Sequence, residues 1–260
     1  MEYNPKVSNH GEDITLPRPL DGIRIIDCTW VRAGPWATRW LGALGADIIK
    51  VEWPERPDTI RGFPYSMPPD VEPGLNSSGQ FNESNANKRG ISLNVRSSKG
   101  FELLKRLIGS SDVVIENFSS RIMQNWGLGY AELEKVRPGI IYVSMCGYGH
   151  TGPSHSYTTM GATAQAISGL TVLSGLPGKP PAGWGWAYMD EMGGLYMIMG
   201  VLSALHHRNL TGEGQHVDLS QVANGITLQG AAFLDRTVNR RPSQREGFPP
   251  GNRTVWPGAP

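Results

Sequence analysis

The sequence predicts an α/β fold built on a Rossmann-like, doubly wound and mainly parallel sheet. Two observations indicate this fold. The first is that, from Gly22 onward, short apolar runs alternate with longer amphipathic ones. The second is that Gly or Pro residues separate these runs. The length of 260 residues suffices for one large domain or two modest ones. No G-x-G-x-x-G motif follows the first apolar run, so the fold alone gives no reason to expect a bound dinucleotide.

Each element is predicted from its local pattern. Apolar runs rich in β-branched residues predict strands at residues 23–30, 46–53, 91–95, 112–118, 139–149 and 216–220. Helical spacing of apolar residues, with Gly or Pro at the ends, predicts helices at residues 34–45, 97–110, 131–138, 159–169, 195–205 and 221–236. The segment 54–85 is rich in Pro, Gly, Asn and Ser without periodicity, which predicts a long surface excursion.

The ends of the chain differ in composition from its centre. Residues 1–18 are polar and predict a flexible N-terminal arm, while residues 19–238 predict one large domain. Residues 239–260 carry five prolines within the stretch from Arg240 and no apolar period, which is typical of a linker. We therefore expect further chain to follow Pro260.

Composition excludes several classes of function. Twenty-four Lys and Arg residues balance 23 Asp and Glu residues, so the formal charge of +1 offers no field for nucleic acid or for a membrane surface. No apolar run is long enough to cross a bilayer. Cys28 and Cys146 lie in apolar runs without ligand partners at metal-site spacing, which predicts buried reduced thiols, no metal site and a cytoplasmic location.

Asp190 is the candidate catalytic carboxylate. It lies between a Gly- and Pro-rich stretch that ends at Trp186 and the apolar helix predicted to begin at Leu195. The alternative reading is an Asp that caps this helix through its free N–H groups. Glu191 is a second candidate nucleophile, but its position one residue later points it in a different direction on the helix.

A series of short motifs along the chain carries a family resemblance. They are Leu20-Asp21-Gly22-Ile23-Arg24, Ala33-Gly34-Pro35, Leu44-Gly45-Ala46-Asp47, Ile49-Lys50-Val51-Glu52, Asn87-Lys88-Arg89, Ile115-Glu116-Asn117-Phe118, Gly147-Tyr148-Gly149 with Gly152-Pro153, and Thr211-Gly212-Glu213-Gly214-Gln215 with Val217-Asp218. This order, over residues 19–260, resembles the class III CoA-transferases, which include the formyl-CoA, carnitine-CoA and benzylsuccinate-CoA transferases.

The resemblance implies a large CoA-binding domain, a small domain and two interlocked protomers. The partner would be an identical chain or a related subunit. The resemblance also implies that this chain leaves the family pattern at Gly258-Ala259-Pro260, before the small domain.

The resemblance further implies that Asp190 is the nucleophile and that Gly193 and Gly194 belong to the same catalytic site. A carboxylate can attack an acyl-CoA thioester to give a mixed anhydride, which the released CoA thiolate converts to an aspartyl-CoA thioester. The acceptor carboxylate then attacks this thioester, and the thiolate converts the second mixed anhydride to the new acyl-CoA. This chemistry needs no permanent cofactor or metal, because coenzyme A enters as the substrate thioester. Backbone N–H groups of residues 31–34 and of a turn at Gly193-Gly194 are candidate oxyanion donors.

Candidate CoA-binding residues follow from the chemistry of CoA, which carries an adenine and several phosphates. Position and resemblance together select Val31, Arg32, Trp53, Arg61, Lys88, Arg89, Asn117, Phe118 and Arg121. For each basic residue the alternative is a solvated surface charge, and for Trp53 it is a core or interface position.

Two other functions stay open from sequence. One is an α-methylacyl-CoA racemase, although Met160 occupies the position where that reaction needs a histidine. The other is a non-catalytic subunit of a heteromeric transferase. The bulky residues Trp184, Trp186, Tyr188 and Met189 before or beside Asp190 predict an aromatic or branched acyl group.

Overall fold

The computed structural model describes residues 17–62, 70, 72, 74–185, 187–241 and 245. Within them a six-stranded, wholly parallel sheet has the strand order β3-β2-β1-β4-β5-β6. The strands are β1 (Arg24–Asp27), β2 (Asp47–Glu52), β3 (Lys88–Ser92), β4 (Val113–Glu116), β5 (Ile141–Cys146) and β6 (Gln215–Ser220). This arrangement confirms the predicted parallel α/β fold.

Helices connect the strands and cover both faces of the sheet. They are α1 (Ala33–Ala43), α2 (Gly79–Ser84), α3 (Ser98–Gly109), α4 (Ile122–Asn125), α5 (Tyr130–Val136), α6 (Gly161–Ile167), α7 (Tyr188–Thr211), α8 (Gln221–Thr227) and α9 (Gly230–Val238), with a short 3-10 helix at Thr59–Gly62. Leu41 of α1 and Met197 of α7 belong to one buried apolar cluster, whereas Leu104 of α3 and Leu133 of α5 belong to another. The sheet is therefore covered on both sides, as in doubly wound folds.

Several predicted boundaries differ from the observed ones. β3 begins at Lys88, three residues before the apolar run, because its backbone pairs with β2 from Ile48↔Lys88 onward. Helix α7 begins seven residues before the predicted start and ends where Gly212 adopts a left-handed conformation with φ of 80°. The predicted last helix is two helices, α8 and α9.

The predicted excursion 54–85 contains two short helical segments that its composition concealed. The N-terminal signal of α2 is a capping serine, since the Ser78 side chain accepts a hydrogen bond from Phe81 N. The predicted arm 1–18 and linker 239–260 lie largely outside the described residues.

Replacing Leu41 with alanine tests the packing of α1 against the sheet. Leu41 is fully buried, so we expect Leu41→Ala to lower the free energy of unfolding by roughly 3–5 kcal/mol through lost burial and a residual cavity. Leu210→Ala is the matched control on α7, because Leu210 is 74% exposed and its truncation should cost less than about 0.5 kcal/mol. Chemical denaturation measures both, and equal losses would contradict this packing.

Candidate functional site

Asp190 lies in the first turn of α7. The N-cap of that helix is Ala187, which leaves Asp190 at its third helical position, so the capping interpretation is wrong. The Asp190 carboxylate turns instead toward α8, where Gln221 Nε2 donates a hydrogen bond to Asp190 Oδ1 at 2.9 Å. A neutral amide therefore orients the carboxylate.

The first residue of α6, Gly161, makes room for this carboxylate. A Cβ atom at Gly161 would lie 2.2 Å from Asp190 Oδ2, a distance that real Cβ atoms do not reach. The α6 backbone can approach Asp190 only because this residue has no side chain.

A cavity of about 280 Å³ opens over Asp190 at the carboxyl edge of the sheet. Its walls come from the segments that follow β1, β4 and β5 and from the starts of α6, α7 and α8, and they include Val31, Arg32, Ala33, Asn117, Phe118, Met145, Cys146, Tyr157, Met160, Gly161, Asp190 and Gln221. Arg32 and Asp190 are the residues of opposite charge in this wall. The cavity therefore combines apolar surface with one buried carboxylate.

The bulky residues predicted to crowd Asp190 lie elsewhere. Trp184 is 45% exposed and packs on Tyr188, with ring centroids 4.8 Å apart. Met189 points into a separate apolar cluster with Ala164. None of these side chains is among the described residues that line the cavity, and Trp186 lies outside the described residues.

Burial raises the pKa of Asp190 to about 6. The hydrogen bond from Gln221 and the positive charge of Arg32 oppose the rise, whereas the negative charge of Glu191 adds to it. The carboxylate is consequently ionised at neutral pH yet far less well solvated than a surface aspartate.

Arg32 joins two carboxylates beside the cavity. Its side chain is 8% exposed, and it pairs with Glu83 Oε2 at 2.6 Å and with Glu191 Oε1 at 2.7 Å. Arg32 Nε is buried without a hydrogen-bond partner. Glu191, the competing nucleophile of the sequence prediction, is thus held by Arg32.

The predicted turn at Gly193-Gly194 is wrong, because both residues lie inside α7. Their N–H groups come after the first four of the helix and so are positioned to bond carbonyls of the preceding turn. The glycines serve close packing instead. A Cβ atom at Gly193 would lie 2.9 Å from Met145 Sδ, and one at Gly194 would lie 2.7 Å from Trp36 Cδ1.

A second cavity, of about 330 Å³, lies beside the first. Its walls are mostly apolar and include Cys28, Trp30, Val51, Trp53, Arg56, Leu93, Arg96, Leu104, Phe118, Met123, Trp126 and Leu128. Phe118 lines both cavities, and its ring meets Trp30 and Trp126 edge-on at centroid distances of 5.8 and 5.7 Å. Trp53 and Phe118 of the predicted CoA-binding set therefore meet here.

Val31, Arg32 and Asn117 of the predicted set line the smaller cavity. Both amide atoms of Asn117 are engaged: Oδ1 accepts from Trp30 N at 2.8 Å and Nδ2 donates to Trp30 O at 2.9 Å. Arg121 is the N-cap of α4 and has a left-handed conformation. Its neighbours in the chain, Ser119 and Ile122, line the larger cavity.

The other three predicted cations are not among the described residues that line either cavity, although the partner of Arg61, Glu52, lines the larger one. Arg61 pairs with Glu52 at 2.7 Å and stacks on the Phe81 ring at 3.4 Å. Lys88 is buried inside β3 and pairs with Asp27 at 2.9 Å, and its burial lowers its pKa to about 8.

Arg89 donates from Nε to Asp47 Oδ1 at 2.9 Å. Asp47 begins β2, so the Arg89 guanidinium lies at the amino edge of the sheet, opposite both cavities. The prediction that Lys88 and Arg89 precede a strand is therefore wrong, because both residues lie inside β3.

Sequence reasoning missed Gln221 and Gly161. Gln221 is the first residue of α8, directly after β6, and Gly161 is the first residue of α6. Both residues are distant from Asp190 in the sequence and meet it only in the folded structure. The one local signal was that Gln221 follows a strand of the parallel sheet, whose carboxyl edge is where ligands bind.

The described part of the chain shows neither a metal-binding cluster nor a membrane-spanning helix. No group of three or more His, Cys, Asp or Glu side chains there is arranged to hold a metal ion. No helix in the same part is long and apolar enough to cross a membrane.

Comparison with known proteins identifies relatives over most of the chain. The sequence profile described as CoA-transferase family III matches residues 20–256. A succinate–glutarate CoA-transferase of Agrobacterium fabrum is 36% identical over 237 residues, covering 90% of this chain and 58% of the relative. The beta subunit of a succinyl-CoA–L-malate CoA-transferase of Chloroflexus aurantiacus is 38% identical, covering 78% of this chain and 49% of that subunit.

The fold has a close counterpart among solved structures. The crystal structure of a CAIB/BAIF family protein from Brucella suis matches with a TM-score of 0.82 at 35% identity, covering 89% of this chain and 61% of that one. This chain therefore spans about half to three fifths of the length of these relatives.

Replacing Asp190 with asparagine should stabilise the protein at neutral pH. The pKa of Asp190 is higher in the folded state than in the unfolded one, so between about pH 4 and 6 Asp190 is protonated more often in the folded state. Burying the ionised carboxylate therefore lowers the free energy of unfolding as the pH rises, and this loss reaches its full size above about pH 6. We expect Asp190→Asn to raise the free energy of unfolding by about 1–3 kcal/mol at pH 7.5. The gain should vanish near pH 4, and denaturation at both pH values measures it. A gain of equal size at both would contradict a buried charge at Asp190.

Proposed function

The chain belongs to CoA-transferase family III, and from that membership we propose that it moves coenzyme A from an acyl-CoA donor to a free carboxylic acid with Asp190 as the nucleophile. One observation carries the proposal. A buried carboxylate, held by Gln221 and ionised at neutral pH, faces a cavity that adjoins a larger apolar one through Phe118. A thioester could reach Asp190 while the rest of CoA occupies the neighbouring cavity.

The reaction proceeds through four acyl exchanges on Asp190. A carboxylate oxygen attacks the thioester carbon of the donor, the C–S bond breaks, and CoA leaves as the thiolate. The thiolate then attacks the Asp190 carbonyl of the mixed anhydride, which releases the donor acid and leaves an aspartyl-CoA thioester. The acceptor carboxylate attacks this thioester, and the thiolate released attacks the acceptor carbonyl of the second anhydride, which forms the new acyl-CoA and restores Asp190.

Each tetrahedral intermediate carries an oxyanion that needs hydrogen-bond donors. Helix α1 begins at the wall of the smaller cavity, and its N-cap, Arg32, makes no side-chain capping hydrogen bond. The first N–H groups of this helix are therefore the best-placed donors, with the positive end of its dipole behind them. Gln221 keeps the Asp190 carboxylate oriented during the attack.

CoA would lie across both cavities. The rings of Trp30, Trp53 and Trp126 give the larger cavity flat apolar walls that suit an adenine. Arg56 and Arg96 in the same wall supply guanidinium groups for phosphates, a role that sequence reasoning had given to Arg61, Lys88 and Arg89. Arg121, near the same wall in the chain, stays in the proposed set.

The acyl group that we propose is apolar. The one basic side chain among the described residues of the smaller cavity is Arg32, and Glu83 and Glu191 already pair with it. A second carboxylate on the substrate would be buried there without a free cation, which is costly. Phe118 and Tyr157 offer aromatic surface for an aromatic or branched chain.

A partner subunit and a reducing compartment are also part of the proposal. Phe233, Leu234 and Val238 of α9 are at least half exposed, and an apolar face of this kind is typical of a surface that another chain covers. Relatives named as alpha and beta subunits of one transferase make a heteromer as reasonable as a homodimer. Cys28 and Cys146 are free thiols, which favours the cytoplasm.

Racemisation of an α-methylacyl-CoA is less well supported than transfer. That reaction needs a second base across the substrate from Asp190. No histidine is among the described residues lining the smaller cavity, and Met160 stands in its wall.

A covalent adduct on Asp190 tests the proposal. We expect incubation with a panel of acyl-CoA donors, without acceptor, to add the mass of an acyl group or of CoA to a peptide containing Asp190, because the nucleophile is trapped part-way through the exchange. Mass spectrometry under mild conditions measures the adduct. Asp190→Ala should abolish it, and Glu191→Gln should retain it.

Three other outcomes of that experiment would overturn the proposal. An adduct that maps to Glu191 would reassign the nucleophile. Exchange of α-deuterium into a branched acyl-CoA without any adduct would establish a racemase. Binding of acyl-CoA with neither result, in a protein that includes any missing C-terminal part, would favour a non-catalytic subunit.

Gly161→Ala should impair transfer without unfolding the protein. The new Cβ would overlap Asp190 Oδ2, so the carboxylate must turn away from Gln221, and we expect kcat to fall roughly 100-fold. Gly230→Ala is the matched control. Gly230 is likewise the first residue of a helix and has nothing within 4 Å of its ideal Cβ position, so kcat should be unchanged. Steady-state assays of both variants decide whether the Gly161 contact matters.

A further inference from the structure

The turn between β1 and α1 holds a β-branched residue in an unfavourable conformation. Val31 has φ of +66°, in the left-handed region that β-branched residues avoid. The turn also forms part of both cavities, since Trp30 lines the larger one and Val31 the smaller one. Strain of this kind persists only where surrounding groups enforce it, and it is concentrated at functional sites.

Side chains from other elements hold the backbone of this turn. Val31 N donates to Asp58 Oδ1 at 2.9 Å, and Lys50 Nζ donates to Thr29 O at 2.7 Å. Between them, Trp30 is held at both its N–H and its carbonyl by Asn117. The conformation of residues 29–31 is therefore set from outside the turn.

Asp58 and Lys50 are buried charges that pair beneath the turn. Asp58 is 0% exposed, Lys50 is 4% exposed, and their charged atoms are 3.4 Å apart. Asp58 Oδ1 also accepts from Ile60 N at 3.1 Å, which anchors the carboxylate to the 3-10 helix. A buried ion pair is poor evidence for a gain in stability, because desolvation offsets the attraction. Its position under a strained turn points to a positional role instead.

We propose that Asp58 and Lys50 are positioning residues that hold Val31 in the left-handed conformation, and thereby aim the uncapped start of α1 at the cavity of Asp190. The N–H groups that follow Val31 are those of Arg32, Ala33 and Gly34, and the first two of these residues line that cavity. The catalytic consequence rests on the proposed function, whereas the conformational part does not.

Melting temperatures of Val31→Gly and Val31→Ala test the conformational part. At an ordinary φ, glycine is less stabilising than alanine, but at positive φ the order reverses because glycine has no Cβ to clash. In the otherwise wild-type protein we expect Val31→Gly to melt roughly 2–4 °C above Val31→Ala. Both variants lose the valine side chain, so the difference reports the backbone strain.

The same pair in an Asp58→Ala background tests the role of Asp58. Without its hydrogen bond, the turn is free to relax to negative φ, and the advantage of glycine should disappear or reverse. If Asp58→Ala does not fold, Lys50→Met/Asp58→Ala replaces it, since this change leaves no unpaired buried ion. An unchanged advantage of glycine in that background, or none in the wild type, would overturn the proposal.

Kinetics test the catalytic part. We expect Asp58→Ala to lower kcat per folded molecule about tenfold while KM changes less than roughly threefold. The residues that line the cavities still bind the substrate, but the N–H groups at the start of α1 no longer point at the oxyanion. Asp58→Asn keeps an oxygen that accepts from Val31 N, so it should recover most of kcat. Asp58→Ala/Val31→Gly should recover part of it.

These assays separate the two proposals. A wild-type protein that transfers no CoA would refute the proposed function, and the melting series would still decide whether Asp58 holds the turn. A confirmed melting series with kcat unchanged in Asp58→Ala would refute the positioning role alone.

Discussion

The site depends on burying the carboxylate of Asp190 without neutralising it. Removing a charge from water favours the protonated form, and here it raises the pKa to about 6. Two groups limit the rise: the Gln221 amide and the Arg32 guanidinium. The result is an ionised but weakly solvated carboxylate, which is a better nucleophile toward a thioester than one fully hydrated.

This burial requires close backbone approach, and glycines provide it on two sides. Gly161 lets α6 lie against the carboxylate, while Gly193 and Gly194 let α7 lie against Met145 of β5 and against Trp36 of α1. A side chain at Gly193 would press against Met145 of β5, one at Gly194 against α1, and one at Gly161 against the Asp190 carboxylate. The glycines predicted as catalytic therefore serve packing.

The sequence was sufficient for the fold class, because the fold follows from alternating apolar runs. Asp190 as the nucleophile came from the family resemblance and stays a prediction, to which the structure adds that the carboxylate is buried in a cavity wall. The sequence was insufficient for the basic residues. Whether Arg89 faces a ligand depends on the strand register, which pairs it with Ile49 and brings its guanidinium to Asp47 at the far edge. Gln221 was equally hidden, since its contact with Asp190 spans 31 residues and leaves no local pattern.

The strand order accounts for where the two cavities lie. The order reverses between β1 and β4, and the crevice at that switch point is where open α/β sheets bind ligands. Dinucleotide sites fill it with glycines that admit a pyrophosphate onto the first helix. Here the corresponding turn carries Thr29 and Val31. Thr29 packs against Gly34, where a Cβ atom would lie only 2.4 Å from the Cβ of Thr29. Arg32 and Ala33 at the start of α1 line the same cavity as Asp190, which is why the proposed oxyanion site uses the dipole of this helix.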